Sequence, residues 1–574
     1  MHISTKPILM KTTLNTFFTI ILGLSLFINS SILYAQTYAK NGMVVTASKI
    51  ASQTGVDILK QGGNAIDATI ATAFALAVTH PTAGNIGGGG FIVFMNSEGK
   101  TTTIDFREKA PLASTETMFL DEIGKIKDDS NHTGLLAVGV PGTVAGLYLA
   151  HQKYGKLPWK DLVQPAIKLA EDGFIFNWTL YGEALYFSSK ADEFPFMTTY
   201  FNNEKGDITQ PGNTWKQPAL ANTLKQIRDH GRDGFYKGEV AKKIEAYMKD
   251  NGGIITTEDL EKYDAIEREP IKGTYKGYDI YGMPPPSSGG LALIELMNLM
   301  ELVDWKNIEF NSTEYVHILA EAMRRTFADR AEFLGDPDFN LDMPLNRLTS
   351  KEHAKNRFEN INMERASVSD STKFGQIYDG ENTTHLSVID KDGNAVSLTY
   401  TLENWYGVKM GSKDLGFIFN NEMGDFNPIP GYTDSGWLIG TKPNVIAPEK
   451  RMLSSMTPTI VAKDGKPYLI IGSPGGRTII NTVFQTTLNV LEFNMPIDKA
   501  IEVMKIHHQW SPDELIYEDD LMSPDTRKAL EAMGHSLKAR SYLGALMGIT
   551  LNPENNIITG ASDSSRPEGG AIGY

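Results

Sequence analysis

The sequence predicts a layered α+β fold, and three observations predict it. Helical periodicity dominates from about residue 48 to about residue 300. From about residue 375 short β runs take over, separated by Gly, Asn, Asp and Pro turns. Helical patterns then return before a tail that again reads as strands. Helices, then strands, then helices favour segregated layers over a repeating βαβ wheel. With 574 residues, 41% of them hydrophobic, the chain can bury a large core.

The elements follow in order. Lys6 and Lys11 precede TTLNTFFTIILGLSLFINSSILYAQ, whose apolar heart runs from Phe17 to Phe27. That heart is too short to span a bilayer, and its positive flank and small-residue exit at Ala35 fit a secretory signal covering residues 1–35, with Met10 as an alternative start. SKIASQTGVDILK carries helical spacing through Ile50, Val56, Ile58 and Leu59, and the turn QGGN closes it. AIDATIATAFALAVTH is apolar nearly all round, so it belongs in a core. A glycine run leads to a strand over Phe91–Met95, the turn NSEGK, and a second strand ending at Phe106, with Arg107 just beyond. VAGLYLAHQKYG, ALANTLKQIRDHG and EVAKKIEAYMKD are helical, and PPPSSGG enters the helix LALIELMNLMEL. THLSVID, NAVSLTYT, GFIFNN, TPTIVAK and PYLIIGSP read as strands, and NTVFQTTLNVLEF and MPIDKAIEVMK as helices.

Composition removes several classes. The formal net charge of −15 argues against a nucleic-acid surface. The chain has no cysteine, which excludes disulfides, thiolate zinc sites and a Cys nucleophile. HHQW at 507–510 lacks HExxH spacing or a third ligand, so no metal site is expected there. The glycine run at 87–90 and GSPGGRT lack full nucleotide-binding patterns. Arg324 and Arg325 in EAMRRTFADR read most simply as a solvated helix face.

The chemistry concentrates around ENTTHLSVID. The turn KDG between THLSVID and NAVSLTYT marks a hairpin, and centring it on Asp392 places Thr383 opposite Thr401. Directly opposed residues have Cβ atoms roughly 4.5–5.5 Å apart, close enough for their hydroxyls to bond. Three further segments add polar groups. NNEMGDF supplies Glu422 and Asp425, RMLSSMTPT supplies Ser454 and Ser455, and IIGSPGGRT ends a strand in Gly475 and Gly476. Backbone amides of such a glycine pair can converge on an anion.

These segments resemble the γ-glutamyltranspeptidase (glutathione hydrolase) family. The resemblance runs from about residue 41 to GASDSSRPEGGAIGY and includes QGGNAIDA, AVTHPTAGNIGGGGF, DFREKAP, VGVPGTVAGL, TTHLSVIDKDGNAVSLTYT, NNEMGDF, LSSMTPTIV and GSPGGRTIIN. It implies an N-terminal-nucleophile hydrolase with a four-layer αββα sandwich. It implies a precursor that cuts itself between Asn382 and Thr383, giving a large subunit of about residues 36–382 and a small one of 383–574 that form a heterodimer. No metal and no other cofactor is expected. Export to the periplasm or medium, without nucleic-acid or membrane partners, completes the expectation.

The same resemblance implies roles. Thr383 attacks the γ-carbonyl of a γ-glutamyl amide, glutathione among them, and forms an acyl-enzyme. The free α-amine created by the cut, with an ordinary pKa of about 7.7–8.0, serves as its proton acceptor. Thr401 bonds and tunes Thr383, while Gly475 and Gly476 offer N–H groups to the oxyanion. Arg107, with Ser454 and Ser455, suits the donor carboxylate, and Glu422 and Asp425 suit its ammonium. Water, an amino acid or a peptide amine takes the acyl group. Glu403 stands where well-studied members carry Asn, and either it or Asn404 is expected to add an anchor for the ammonium. NPIPGYTDSGWLIGTKPN resembles the lid loop of many members, with Tyr432 or Trp437 over the pocket; a plain surface loop is the other reading. Two alternatives differ in function: a glutaryl or cephalosporin acylase of the same fold, and a non-catalytic exported γ-glutamyl peptide-binding protein.

Overall fold

The computed structural model describes residues 36–369, 383–431, 441–519 and 521–574. The expected signal, Asn382, Tyr432 and Trp437 lie outside the described residues.

Two seven-stranded antiparallel sheets organise residues 36–574. In the first the order is Gly570–Gly573, Met43–Thr46, Thr383–Ile389, Ala395–Thr401, Gly89–Met95, Thr101–Phe106 and Ile266–Arg268. In the second it is Thr37–Ala39, Ile558–Ser562, Met547–Leu551, Lys466–Gly472, Thr459–Lys463, Tyr278–Gly282 and Ile271–Tyr275. The period of two along a strand explains the layering. Ile92 and Phe94 pack into one core with the helices Lys49–Lys60 and Ala65–Thr79, while Phe91, Val93 and Met95 pack into another with strands of the second sheet. Hydroxyls cross the sheet interface: Ser387 Oγ donates to the Ile470 carbonyl (3.3 Å) and Ser397 Oγ to the Ile471 carbonyl (3.0 Å). Helices Gly289–Met300, Thr313–Phe333 and Thr478–Leu491 cover the second sheet's other face. The result is the expected order of helices, sheet, sheet and helices.

Local chemistry fixes the helix ends. Ala65–Thr79 is buried along its whole length. Its first turn is closed by a capping box, in which Asn64 and Asp67 each accept the other's backbone N–H at 3.0 Å. Asp67 also accepts from the N–H groups of Lys156 and Leu157, tying the helix to a neighbouring loop. In the preceding QGGN turn Gly62 has φ +93°, a conformation side chains resist.

The hairpin at 383–401 lies in the middle of the first sheet. Thr383–Ile389 is bonded on its outer side by Met43–Thr46, and Ala395–Thr401 by Gly89–Met95. A chain break in front of Thr383 would therefore leave this hairpin held on both sides.

Two expectations are corrected. GFIFNN is not a strand; among the described residues its ladder contact is a single bridge, Gly411 with Ile418. Gly416 turns the chain at φ +74°, and the Asn420 side chain bonds the Gly87 and Gly139 carbonyls instead. Arg324 and Arg325 do not form a solvated face. Arg324 is 4% exposed and pairs with Glu321 and Asp513, while Arg325 bonds Glu321 and the Arg357 and Asn360 carbonyls. The segments around residues 360 and 513 cover that side of the helix. Among the described residues no helix is long and apolar enough to cross a membrane.

Candidate active site

Thr383 opens its strand, and the register places it opposite Thr401. Its hydroxyl donates to Thr401 Oγ1 at 3.3 Å, and both residues are buried. Thr401 Oγ1 also accepts the Glu403 N–H at 2.8 Å, and the Thr401 carbonyl accepts from Asn85 Nδ2 at 2.9 Å. Gly88 makes this packing possible, since a Cβ there would lie 1.9 Å from the Thr401 carbonyl oxygen. The glycine run is thus a close-approach device beside the two threonines.

Thr383 and Thr401 line a small cavity together with Arg107, Glu403, Glu422, Asp425, Ser454, Ser455 and Gly476. Among the described sequence-predicted residues, Gly475 and Asn404 are not part of the lining, although Gly475 directly precedes Gly476. Gly475 has φ +130° and Gly476 φ +57°, and the Gly475 carbonyl accepts from the Thr478 hydroxyl (2.7 Å) and N–H (3.1 Å). This bonding fixes the turn from strand to helix. Met456, Arg477 and Ile479 complete the lining.

The acids at the cavity gather around a single guanidinium. Arg107 Nη1 lies 2.5 Å from Glu422 Oε2, Nη2 pairs with Asp425, and Glu108 stands 3.5 Å away. Nε donates to the Met452 carbonyl at 3.3 Å, and the Tyr263 hydroxyl holds the Arg107 carbonyl at 2.7 Å. Burial would lower the guanidinium, but Glu422, Asp425 and Glu108 outweigh it and keep Arg107 above its ordinary value. Burial pushes the acids the other way: Glu108 rises to about 8 and Glu422 rises well above the usual carboxylate range. One guanidinium thus faces more carboxyl groups than it neutralises. Such a site suits a zwitterion whose carboxylate takes Arg107 and whose ammonium takes the acids.

The serines lead to a residue the sequence reading missed. Arg330, buried on the helix Thr313–Phe333, donates from Nη2 to Ser455 Oγ (3.0 Å) and from Nε to Ser288 Oγ (2.8 Å). Ser288 in turn donates to the Ser454 carbonyl at 2.7 Å. Burial lowers Arg330 to about 10, against the pull of nearby Asp425. A signal existed: Arg330 lies three and seven positions after Phe327 and Met323, on the helix's apolar face. His132 and Glu108, both buried beside the cavity residues, were also missed.

Two other groups have metal-like spacing among the described residues, His317–Glu321–His535 and Glu295–Asp329–His353. In the first, the histidines bond each other at 2.8 Å, and Ser367 and Arg325 occupy Glu321. In the second, Asp329 pairs with His353 and Arg357. The HHQW histidines diverge: His507 bonds Asn481 and Gln509, and His508 bonds Asp513 and the Trp510 N–H. His385 bonds Thr399 and Ser387 between the sheets, where burial lowers it to about 3.

The family model described as Gamma-glutamyltranspeptidase matches residues 51–574. The glutathione hydrolase proenzyme of Escherichia coli (strain K12) is 44% identical over 543 residues, covering 93% of this chain and 92% of that protein. A chain of the Helicobacter pylori γ-glutamyltranspeptidase crystal structure is 44% identical with TM-score 0.54, covering 56% of this chain and 91% of that one. The cephalosporin acylase from Bacillus halodurans superposes with TM-score 0.80 at 27% identity, covering 94% of this chain and 97% of that one.

Proposed function

The chain belongs to the γ-glutamyltranspeptidase family, and from that premise we infer its chemistry: it is an enzyme that cleaves γ-glutamyl amides, as a glutathione hydrolase and γ-glutamyltransferase. Its substrates are small molecules. The observation that carries the reading is the Thr383–Thr401 hydroxyl pair on a cavity shared with Arg107, Glu422, Asp425, Ser454 and Ser455.

The protein is made as a proenzyme. Thr383 Oγ attacks the carbonyl carbon of Asn382, the C–N bond breaks, and the acyl group moves from nitrogen to oxygen. Water then hydrolyses the ester, leaving a carboxylate on Asn382 and a free amine on Thr383. Well-oriented attack of this kind reaches effective molarities of about 10⁵–10⁸ M. The interleaved first sheet supports a heterodimer of about 36–382 and 383–574 that stays associated after the cut.

In the mature enzyme the Thr383 amine accepts the Oγ proton as the hydroxyl attacks the donor γ-carbonyl. N–H groups of Gly475 and Gly476 meet the oxyanion; a single such donor is worth about 10²–10³ in rate. The C–N bond breaks, the relayed proton leaves with the amine, and an acyl-enzyme ester remains. Water or an acceptor amine releases it. Arg107 takes the donor carboxylate with Ser454 and Ser455, and Arg330 braces Ser455 from behind. Glu403, Glu422 and Asp425 take the ammonium. The surplus of acid groups favours γ-glutamyl donors over glutaryl ones, which lack that ammonium. The residue 1–35 pattern supports export of the enzyme.

Comparing release of p-nitroaniline from γ-glutamyl-p-nitroanilide and glutaryl-p-nitroanilide tests the reading. A strong preference for the γ-glutamyl compound is expected, and a preference for the glutaryl compound would favour an acylase.

A further inference from the structure

Resting on the reading above, we propose that His132 is a positioning residue for donor recognition, holding the Glu403 carboxylate ionised at the wall of the cavity where the donor ammonium docks. His132 Nδ1 lies 3.3 Å from Glu403 Oε1, and both side chains are buried. Glu403 reaches this place through a left-handed backbone, with φ +73°. Its other oxygen accepts from Asn404 Nδ2 at 3.0 Å, and its N–H bonds Thr401 Oγ1. The carboxylate is therefore held by a hydrogen bond at one oxygen and faces the imidazole at ion-pair distance with the other, while its own N–H bonds the Thr401 hydroxyl.

A second, separate feature accommodates the imidazole. Gly424 sits in the short 3₁₀ turn Glu422–Asp425, between the two acids that face Arg107. A Cβ at Gly424 would lie 2.2 Å from His132 Nδ1 and 2.3 Å from Cε1, so the ring occupies the space a side chain would fill. The His132 carbonyl also accepts from Asn421 Nδ2 at 3.3 Å, tying the two segments together. His132 thus braces the acid-bearing turn on one side and Glu403 on the other.

The electrostatics agree with the geometry. Glu403, Asp129 and Asp425 face His132; Asp425, Lys409, Glu422 and His132 face Glu403. Burial, the largest influence, would push the imidazole down, but Glu403 outweighs it with help from Asp129 and Asp425, and His132 stays above its ordinary value. Burial raises the Glu403 carboxyl, and His132 pulls it back toward ionisation. Without that positive neighbour, a buried Glu403 takes a proton and loses its attraction for an ammonium.

A double-mutant cycle on the full, processed enzyme tests the assignment, with γ-glutamyl-p-nitroanilide as the donor. His132→Ala should raise donor KM about tenfold at neutral pH with kcat nearly unchanged. That penalty should shrink as pH rises from about 6 to about 9, as Glu403 ionises unaided. In a Glu403→Gln background, His132→Ala should add almost nothing. His132→Asn, closer in shape and safer for folding, should give a smaller penalty with the same non-additivity. Penalties that add fully in both variants, or an unchanged donor KM, would overturn the role of His132 while leaving the enzyme's activity intact. A wild-type protein that cannot turn over the donor would overturn both this role and the reading beneath it.

Discussion

Two clusters of buried charge in this protein use the same residue types to opposite ends. At the cavity, Arg107 meets Glu422 and Asp425, with Glu108 nearby, and acids outnumber the guanidinium. Burial wins there, and Glu108 rises to about 8. On the helix Thr313–Phe333, Glu321 meets Arg324 at 3.3 Å, Arg325 at 2.6 Å and the Ser367 hydroxyl at 2.5 Å. Burial opposes ionisation there too, but Ser367, Arg324 and Arg325 outweigh it, and Glu321 falls to about 2. The difference teaches how to separate a binding charge from a structural one. Acids that their neighbours leave under-neutralised on a cavity wall await a cation; acids held by more partners than they need are part of the scaffold.

The sharpest break between the regions should come at the cavity. Thr383→Ala should yield an uncut chain with turnover of γ-glutamyl-p-nitroanilide down by at least about 10⁴-fold. Persistent cutting, seen as two bands on a denaturing gel, would remove Thr383 from the cleavage step.

Next comes the scaffold cluster. Arg324→Ala takes a guanidinium from the fully buried Glu321 as well as from Asp513, and about 3 kcal/mol of stability should be lost in denaturant titration. Donor KM should not move. A raised KM would mean that this cluster also serves the site, and the contrast would fail.

Arg107→Lys keeps the charge but discards the planar fork, so donor KM should rise by roughly 10–100-fold with little loss of stability. A donor KM within twofold or so of wild type would show that the fork does not grip the substrate.

The smallest effect is a pH response. The folded value for Glu321, about 2, lies below the usual unfolded value of about 4.3, so its contribution is complete above that pH and lost as pH falls through about 2. Melting temperature should therefore drop less steeply between about pH 5 and about pH 2.5 in Glu321→Gln than in wild type. Equal slopes would contradict the strong pairing of Glu321.

Much of this contrast was legible in the sequence, and the reasons are local. The KDG turn fixed the hairpin register, because a strand period of two leaves little freedom once the turn is known. The helix over Ala65–Thr79 announced its burial by being apolar all round. GFIFNN misled because a short apolar run reads as a strand even when its backbone N–H groups bond singly to scattered partners, here the Met410, Gly87 and Leu402 carbonyls. Arg324 and Arg325 misled because their charge suggested water, whereas beyond Glu321 on the same helix their partners come from residues 32 to 189 positions away. His132 and Arg330 stayed hidden for the same reason: each reaches the site only through the tertiary packing of a loop or helix.

The proposed activity requires that the chain sever itself before Thr383 and that the amine so exposed make the hydroxyl a nucleophile. Intact-mass and N-terminal sequencing of purified, active protein tests it most directly. Two tightly associated fragments are expected, the smaller beginning TTHLSV. A fully active preparation made of one continuous polypeptide would contradict it.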